Sequence, residues 1–458
     1  MTTQIVTTEF VLDRPAAPNL PLAPYQYDPR YHEAFNNVLR LYFNQLDNFL
    51  AKFMADTSTI PVSIGGTNVD AFGRLRVSQP YTLFDSQNRY AADTQFDTAT
   101  TGTGTTTYST NESSLNMTVT SGGAGSVVRQ TYRSFPYQPG KGLLVLATFV
   151  MDSSQNVNLT QRVGYFNTEN GVFFQRVDGV YSFVLRSYIT GSVSDARTVN
   201  QSNWNGDKLD GTGASGLTLD PSKAQILWMD FEWLGVGSVR CGFVINGQYI
   251  VCHTFTNANE ITSVYMTTAT LPIRYEITST SAIAATLKQI CSSVASEGGY
   301  EQYSVGHVAR RTTAVATIGT TFKPLVAIRL APGRGGAVVV PGRIQVLPTT
   351  SQNYEVALVK NPTLTGAVWT TMPTDSNVEY DVSATAITGG TIIQTDYVSS
   401  SGSGGTQPLI DPAGYNWAFQ PGMSLAGVSD IIAIQIRTVT TPPTGDAVGS
   451  LSFWDLTA

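Results

Sequence analysis

The sequence predicts a mainly β chain: an extended N-terminal arm and one long α-helix, followed by two antiparallel β-sandwich domains of jelly-roll-like build. Three observations carry this. Only 13% of the 458 residues are charged, about half the usual ~25%. Thr, Ser, Gly, Asn and Gln take the place of charge, and such a β-branched, neutral polar surface suits strands better than helices. Residues 28–55 alone show sustained helical spacing. From residue 60 onward, short alternating apolar runs recur between clusters of Gly, Asn, Asp and Ser, the pattern of a sandwich.

Residues 1–27 form the arm. Pro15, Pro18, Pro21 and Pro24 punctuate it at a spacing through which no helix runs. Asp28 then offers an N-cap and Pro29 a first-turn proline, which together start a helix over 28–55. Phe35, Leu39, Tyr42, Leu46, Phe49 and Phe53 follow a 4-3-4-3-4 spacing, a heptad seam. Tyr31, Val38, Phe43 and Leu50 widen the stripe. A helix this apolar needs a partner: it packs on its own domain or, as the position after a Pro-rich arm favours, it oligomerises or docks into a larger assembly.

The first β-domain is placed at 60–310. Its runs include 142–151, 179–189, 224–237 and 240–255. Segment 280–299 (TSAIAATLKQICSSVASEGG) fits either a short helical turn or a strand. The second β-domain is placed at 312–458, with runs at 324–331, 337–348, 354–361, 391–399, 431–439 and 450–456. SSSGSGGTQ (399–407) reads as a loop tip, and no regular repeat is present.

Composition excludes several function classes. Net charge is −6 and no basic run stands out, so no nucleic-acid partner is expected. No apolar run approaches the ~20 residues of a membrane span, so no membrane insertion is expected. The N-terminus has neither the charged nor the apolar region of a secretory leader. Three cysteines make no disulfide framework. Within CGFVINGQYIVC, Asn246-Gly247 signals a two-residue hairpin, and counting outward sets Ile245 opposite Gln248, Phe243 opposite Ile250 and Cys241 opposite Cys252. Whether those two thiols are bonded is left open.

Few residues suggest chemistry. Asp230 and Glu232 alternate in WMDFEW and would share one strand face. Glycoside hydrolases use paired carboxylates in this way, but the further downstream acid of the jelly-roll type is missing here. Trp228, Phe231 and Trp233 suit a core better than a sugar platform. NWNGDKLDGTG (203–213) alternates Asn203, Asn205 and Asp207 without a closing Glu, so it reads as a turn more readily than a calcium loop. Trp204, Asp207, Asp210, Asp230 and Glu232 are the candidate glycan or cation contacts. His32, His253 and His307 are dispersed, and Gly-x-Ser-x-Gly occurs only in the loop string SSGSGG. No catalytic residue, metal site or cofactor is expected.

Three stretches resemble a known group. LPLAPYQYDPRYHEAFNNVLRLYFNQLDN, AFGRLRVSQPYTLFDSQ (71–87) and 201–255, with its WNGDKLDGTG and FEWLGVG strings, are similar to virion structural proteins of tailed bacteriophages. The resemblance is to an uncharacterised tail-fibre or appendage-like group, and it covers roughly residues 20–310. It implies a non-enzymatic virion component assembled in the host cytoplasm, with a tail position favoured. The helix would fix the protein to other tail or neck subunits or, as a homotrimer, to its own copies. The β-domains would contact host-surface glycan or neighbouring subunits. A head fibre or capsid decoration protein, and a glycan-degrading tailspike, are the alternatives.

Overall fold

Asp28 opens the helix as expected: its side chain accepts a hydrogen bond from the Arg30 amide at 2.9 Å. In this computed structural model the helix α1 runs Pro29–Thr57, about 43 Å at 1.5 Å per residue. The structure describes residues 28–57, 80–154, 157–301, 304–372, 375–399, 419–439 and 444–457, together with Leu20 and Gln26. Helix side chains are described up to residue 47. The arm expected over 1–27, apart from Leu20, Gln26 and their backbone, and the loop tip from residue 400 onward lie outside these residues. Residues 1–65 and 66–458 are two separate compact units. Among the described residues no helix is long and apolar enough to cross a membrane.

The first sandwich contains fifteen strands: β1 (Tyr81–Gln87), β2 (Phe96–Gly102), β3 (Thr105–Ser109), β4 (Ser114–Val119), β5 (Gly125–Thr131), β6 (Gly142–Val150), β7 (Leu159–Phe166), β8 (Gly171–Val177), β9 (Val180–Ser187), β10 (Ser194–Asn200), β11 (Gln225–Phe231), β12 (Val239–Ile245), β13 (Gln248–Phe255), β14 (Ile273–Ser279) and β15 (Ala285–Glu297). One sheet runs β13-β12-β11-β6-β15-β4-β3, with β1 also paired to β15. The other runs β10-β9-β8-β7-β14-β5-β2. The ambiguous 280–299 segment is therefore β15, a central strand. Its Ala285 and Leu287 face inward while Thr286 and Lys288 face out.

Alternation explains the core. In β6, Leu143, Val145, Ala147 and Phe149 are buried at every second position. Opposite them stand Val163 and Tyr165 of β7 and Tyr275 and Ile277 of β14. Phe174, Phe183, Phe243 and Trp204 fill one end, with Phe183 and Trp204 ring centroids 4.7 Å apart. Each such side chain stabilises the fold by roughly 1.5–3 kcal/mol when fully buried.

The second sandwich contains β16 (Val305–Ile318), β17 (Lys323–Leu330), β18 (Val339–Pro348), β19 (Asn353–Lys360), β20 (Thr363–Thr365), β21 (Thr370–Thr371), β22 (Val378–Asp381), β23 (Ala386–Thr388), β24 (Thr391–Ser399), β25 (Ile431–Thr438) and β26 (Gly445–Asp455). Its sheets run β16-β26-β18 and β21-β22-β17-β25-β19-β24, with β20 and β23 as a separate pair. Its own core holds Ile328, Ile344, Val356, Ile434, Leu451 and Phe453. The boundary expected between 310 and 312 falls inside β16, which pairs with β26 from Val305 onward. Residues 305–311 thus belong to the second sandwich. β16 is an edge strand, largely exposed and without a clean apolar alternation, so nothing in the local sequence marks its start.

A segment before β25 joins the sandwiches. The Met423 amide donates to the Tyr132 carbonyl at 2.8 Å, and the Leu425 amide donates to Asp97 Oδ2 at 2.7 Å.

Candidate functional site

The helix seam is the first candidate. Phe35, Leu39, Tyr42 and Leu46 are all half-buried, and no described helix side chain is buried. Leu41 and Phe43 are 60% and 59% exposed. Packing of an apolar face is what stabilises most protein helices, and none of these described side chains is fully buried within the helical unit. Phe49 and Phe53 continue the helical backbone, and their side chains lie outside the described residues.

The second candidate, the loop after β10, is a structural knot. Trp204 is buried, and its indole donates to the Val199 carbonyl at 3.1 Å. It packs in the core and presents no ring to a sugar, contrary to expectation. Asn205 bonds the Thr254 backbone in both directions, at 2.9 and 2.8 Å. The amides of Gly206 and Asp207 donate to the carbonyls of Cys252 and Val251, so the loop covers the free edge of β13. Asp207 accepts from the Leu209 amide through Oδ1 at 2.9 Å and from the Ser215 amide through Oδ2 at 2.6 Å. Burial raises its pKa, but these amides outweigh that and hold the carboxyl below its ordinary value. A Cβ on Gly213 would lie 2.1 Å from Asp207 Oδ1, so a larger residue there would push the carboxylate off its amides. Asp210 is exposed and accepts from the Thr212 amide at 2.9 Å. Both carboxylates close turns, and no cluster of metal-ligating side chains occurs among the described residues.

Asp230 and Glu232 are 0% and 1% exposed. Asp230 sits opposite Arg240 of the neighbouring strand and forms an ion pair with it. β11 ends at Phe231, and Leu234 and Gly235 turn with positive φ of 36° and 79°. The strand expected to continue to residue 237 therefore stops short. Trp228 is also buried, donating to the Ile250 carbonyl at 3.2 Å. No sugar platform forms on this face.

The hairpin forms with Asn246 and Gly247 at φ 53° and 76°, and Ile245↔Gln248 and Phe243↔Ile250 pair as expected. A bulge between Cys241 and Gly242 then shifts the register, so Cys241 faces His253 instead of Cys252. Both thiols are free and buried, and burial pushes both upward. Neither is an activated nucleophile. Burial, helped by Arg197, lowers His253 to about 4. The imidazole Nδ1 accepts from the Asn205 amide at 3.3 Å.

One cleft went unnoticed in the sequence. β10 and β13 are the edge strands of the two facing sheets, and Arg197 reaches from one to the end of the other. Its guanidinium donates to the Thr256 carbonyl at 2.9 Å and to the Asn257 side chain, and it lies 5.4 Å over the Phe255 ring. On one side lies an apolar cavity of about 200 Å³, walled by Leu185, Ile189, Ile261, Val264 and Tyr265. On the other lies a more polar hollow of about 270 Å³ that includes Thr198, Asn205, His253 and Thr256. No sequence motif marks this site, because its residues come together only when the two sheets stack.

No family model matches the chain, and no curated protein is similar to it. Some solved structures are similar over about half of it. The carbohydrate recognition domain of Emp47p is 9% identical, with 48% of this chain and 97% of that one covered and a TM-score of 0.30. The CBM2 module of the evolved Dit of Lactobacillus casei BL23 phage J-1 is 6% identical, with 49% and 99% covered and a TM-score of 0.32. The cellulose-induced protein Cip1 is 12% identical, with 48% and 100% covered and a TM-score of 0.28. Likeness at this level carries no argument about activity.

Proposed function

We propose that this chain is a non-enzymatic structural protein of a tailed-phage virion, a tail-associated appendage anchored through its N-terminal helix and assembled as a homotrimer. The observation that carries the reading is the heptad seam of α1, where Phe35, Leu39, Tyr42 and Leu46 are only half-buried on a 29-residue helix. Three copies packing these positions together, or onto tail subunits, would remove that surface from water at roughly 25 cal/mol per Å². The β-sandwiches would then project as the contacting part. The non-enzymatic reading is supported by the carboxylates themselves. A glycosidase pair must reach the scissile bond, whereas Asp230 is buried against Arg240 and Glu232 is equally enclosed.

The test compares the full chain with one lacking residues 1–57. Sedimentation should give a trimer for the first and a folded monomer for the second, and virions assembled with the truncated chain should lack it. Equal masses and equal incorporation would refute the anchor. Shortening of host polysaccharide by the purified protein would refute the non-enzymatic reading.

A further inference from the structure

The cleft between β10 and β13 has three properties that packing alone does not explain. Arg197 is half-buried, yet no carboxylate lies within ion-pairing distance of it among the described residues. Arginines on the opposite, outer face of the same sheet do have one: Arg186 pairs with Asp195 at 2.8 Å, while Arg162 and Arg274 share Glu276. Glu260, the acidic group whose charge acts on Arg197, instead accepts from the Thr256 hydroxyl at 2.7 Å. Next, Tyr265 lines the apolar cavity, is 3% exposed, and has an enclosed hydroxyl without a hydrogen-bond partner among the described residues. A buried polar group left unpaired costs about 1–3 kcal/mol, so such groups are rare without a purpose. Finally, the cavities on the two sides of Arg197 differ in character: one is largely apolar, with Ser187, Thr190, Ser194 and Ser263 also in its lining, and the other is more polar.

We infer that this cleft is a binding site for a carboxylated monosaccharide bearing a short acyl group, with the carboxylate on Arg197, the acyl group in the apolar cavity and the sugar hydroxyls over the polar hollow. A guanidinium with no protein carboxylate in direct contact suits a carboxylate ligand. The apolar cavity, about 200 Å³, is smaller than the ~300–1,000 Å³ of sites that enclose whole drug-sized ligands. It therefore suits one substituent of a larger molecule. On the polar side the Thr198 hydroxyl donates to the Asp195 carbonyl and the Thr256 hydroxyl to Glu260, each at 2.7 Å. Their lone pairs are left to accept from sugar hydroxyls. Burial holds the His253 imidazole neutral near pH 7, so it adds no second positive charge. The site gives the proposed appendage something to hold at a host surface, and it rests on that reading only for where the ligand would be met.

The test is titration of the purified full chain, followed by protein NMR or calorimetry, with four probes. N-acetylneuraminic acid, which carries all three features, should bind saturably. Glucuronic acid lacks the acyl group, N-acetylglucosamine lacks the carboxylate, and N-acetyl-leucine lacks the polyol; each should bind at least about tenfold more weakly, as loss of one charged or well-packed contact does. Arg197→Met should weaken N-acetylneuraminic acid by about tenfold or more. Ile189→Trp, placed at a 44% exposed position on the cavity wall, should block binding while leaving the melting temperature unchanged. No saturation with N-acetylneuraminic acid, equal binding of N-acetylglucosamine or N-acetyl-leucine, or full binding by the two variants would overturn the site. Sedimentation of the same samples separates this from the appendage reading: a trimer that binds none of the probes refutes the cleft alone, whereas a monomer that binds refutes the anchor alone.

Discussion

His253 packs edge-on against Phe255, with ring centroids 4.5 Å apart, and takes the Asn205 amide on its Nδ1. Burial first, and Arg197 second, bring its pKa down from 6.5 to about 4. As pH falls, the unfolded chain therefore takes up this proton before the folded one does. Its contribution to stability is complete above pH 6.5 and declines as pH drops from 6.5 towards 4. The urea midpoint should fall between pH 6.5 and 5, above the range where ordinary carboxylates titrate, and His253→Gln should flatten that part of the curve. An unchanged slope would mean that the folded imidazole takes up its proton at the ordinary pH. Asp207 makes a second residue-scale case. Asp207→Ala strips the acceptors from two loop amides and should cost about 1–3 kcal/mol in chemical denaturation. If the Asp207 carboxylate served a cation instead, added calcium would raise the wild-type melting temperature and leave the alanine variant unmoved. The hydrogen bonds already made by both oxygens predict no such rise.

The elements that could be read in the sequence are those whose signal is local. Asp28-Pro29 started the helix and Asn246-Gly247 closed the hairpin, because cap and turn chemistry need only neighbouring residues. Gly247 has φ 76° with open space around its Cβ position, so Gly247→Ala should cost about 1 kcal/mol through backbone strain alone. A variant as stable as wild type would show that the turn relaxes to another type. Below the turn the reading failed at one residue. A Cβ on Gly242 would lie 1.8 Å from the Ile250 carbonyl, and the bulge beside this close approach moves Cys241 onto His253. The loop that clasps the far edge of β13 through Cys252 and Val251 comes from residues 206 and 207, and no short-range rule anticipates such a contact. Trp204 was misplaced for the same reason: its pocket is built by Phe174, Phe183 and Phe243 from other strands. For α1 the decisive experiment is a charge on the seam. Leu39→Asp with Leu46→Asp should give monomers by light scattering, and unchanged mass would refute the seam.

At the scale of the whole β-unit, two sandwiches with separate cores share one compact body, and the segment before β25 reaches from one to the other through backbone and side-chain hydrogen bonds. Gly422 sits against Tyr132 so closely that a Cβ would lie 2.5 Å from the Tyr132 carbonyl oxygen. Its amide is held by Asp430 Oδ2 at 2.9 Å, and Asp430 in turn pairs with Lys360 of the second sandwich at the same distance. The segment is thus fixed by the second sandwich and pressed onto the first through Met423 and Leu425. A methyl group at Gly422 meets backbone, which cannot swing aside as a side chain can, so Gly422→Ala should lift the segment and break both contacts. Each sandwich keeps its own core, so neither needs the other to remain folded. Calorimetry should then resolve two transitions in the variant where the wild type shows one. Asp97→Asn should give a milder version, because it leaves the Leu425 amide an uncharged acceptor in place of a charged one. If Gly422→Ala still unfolds in a single transition at the wild-type temperature, the coupling between the sandwiches must run through other contacts.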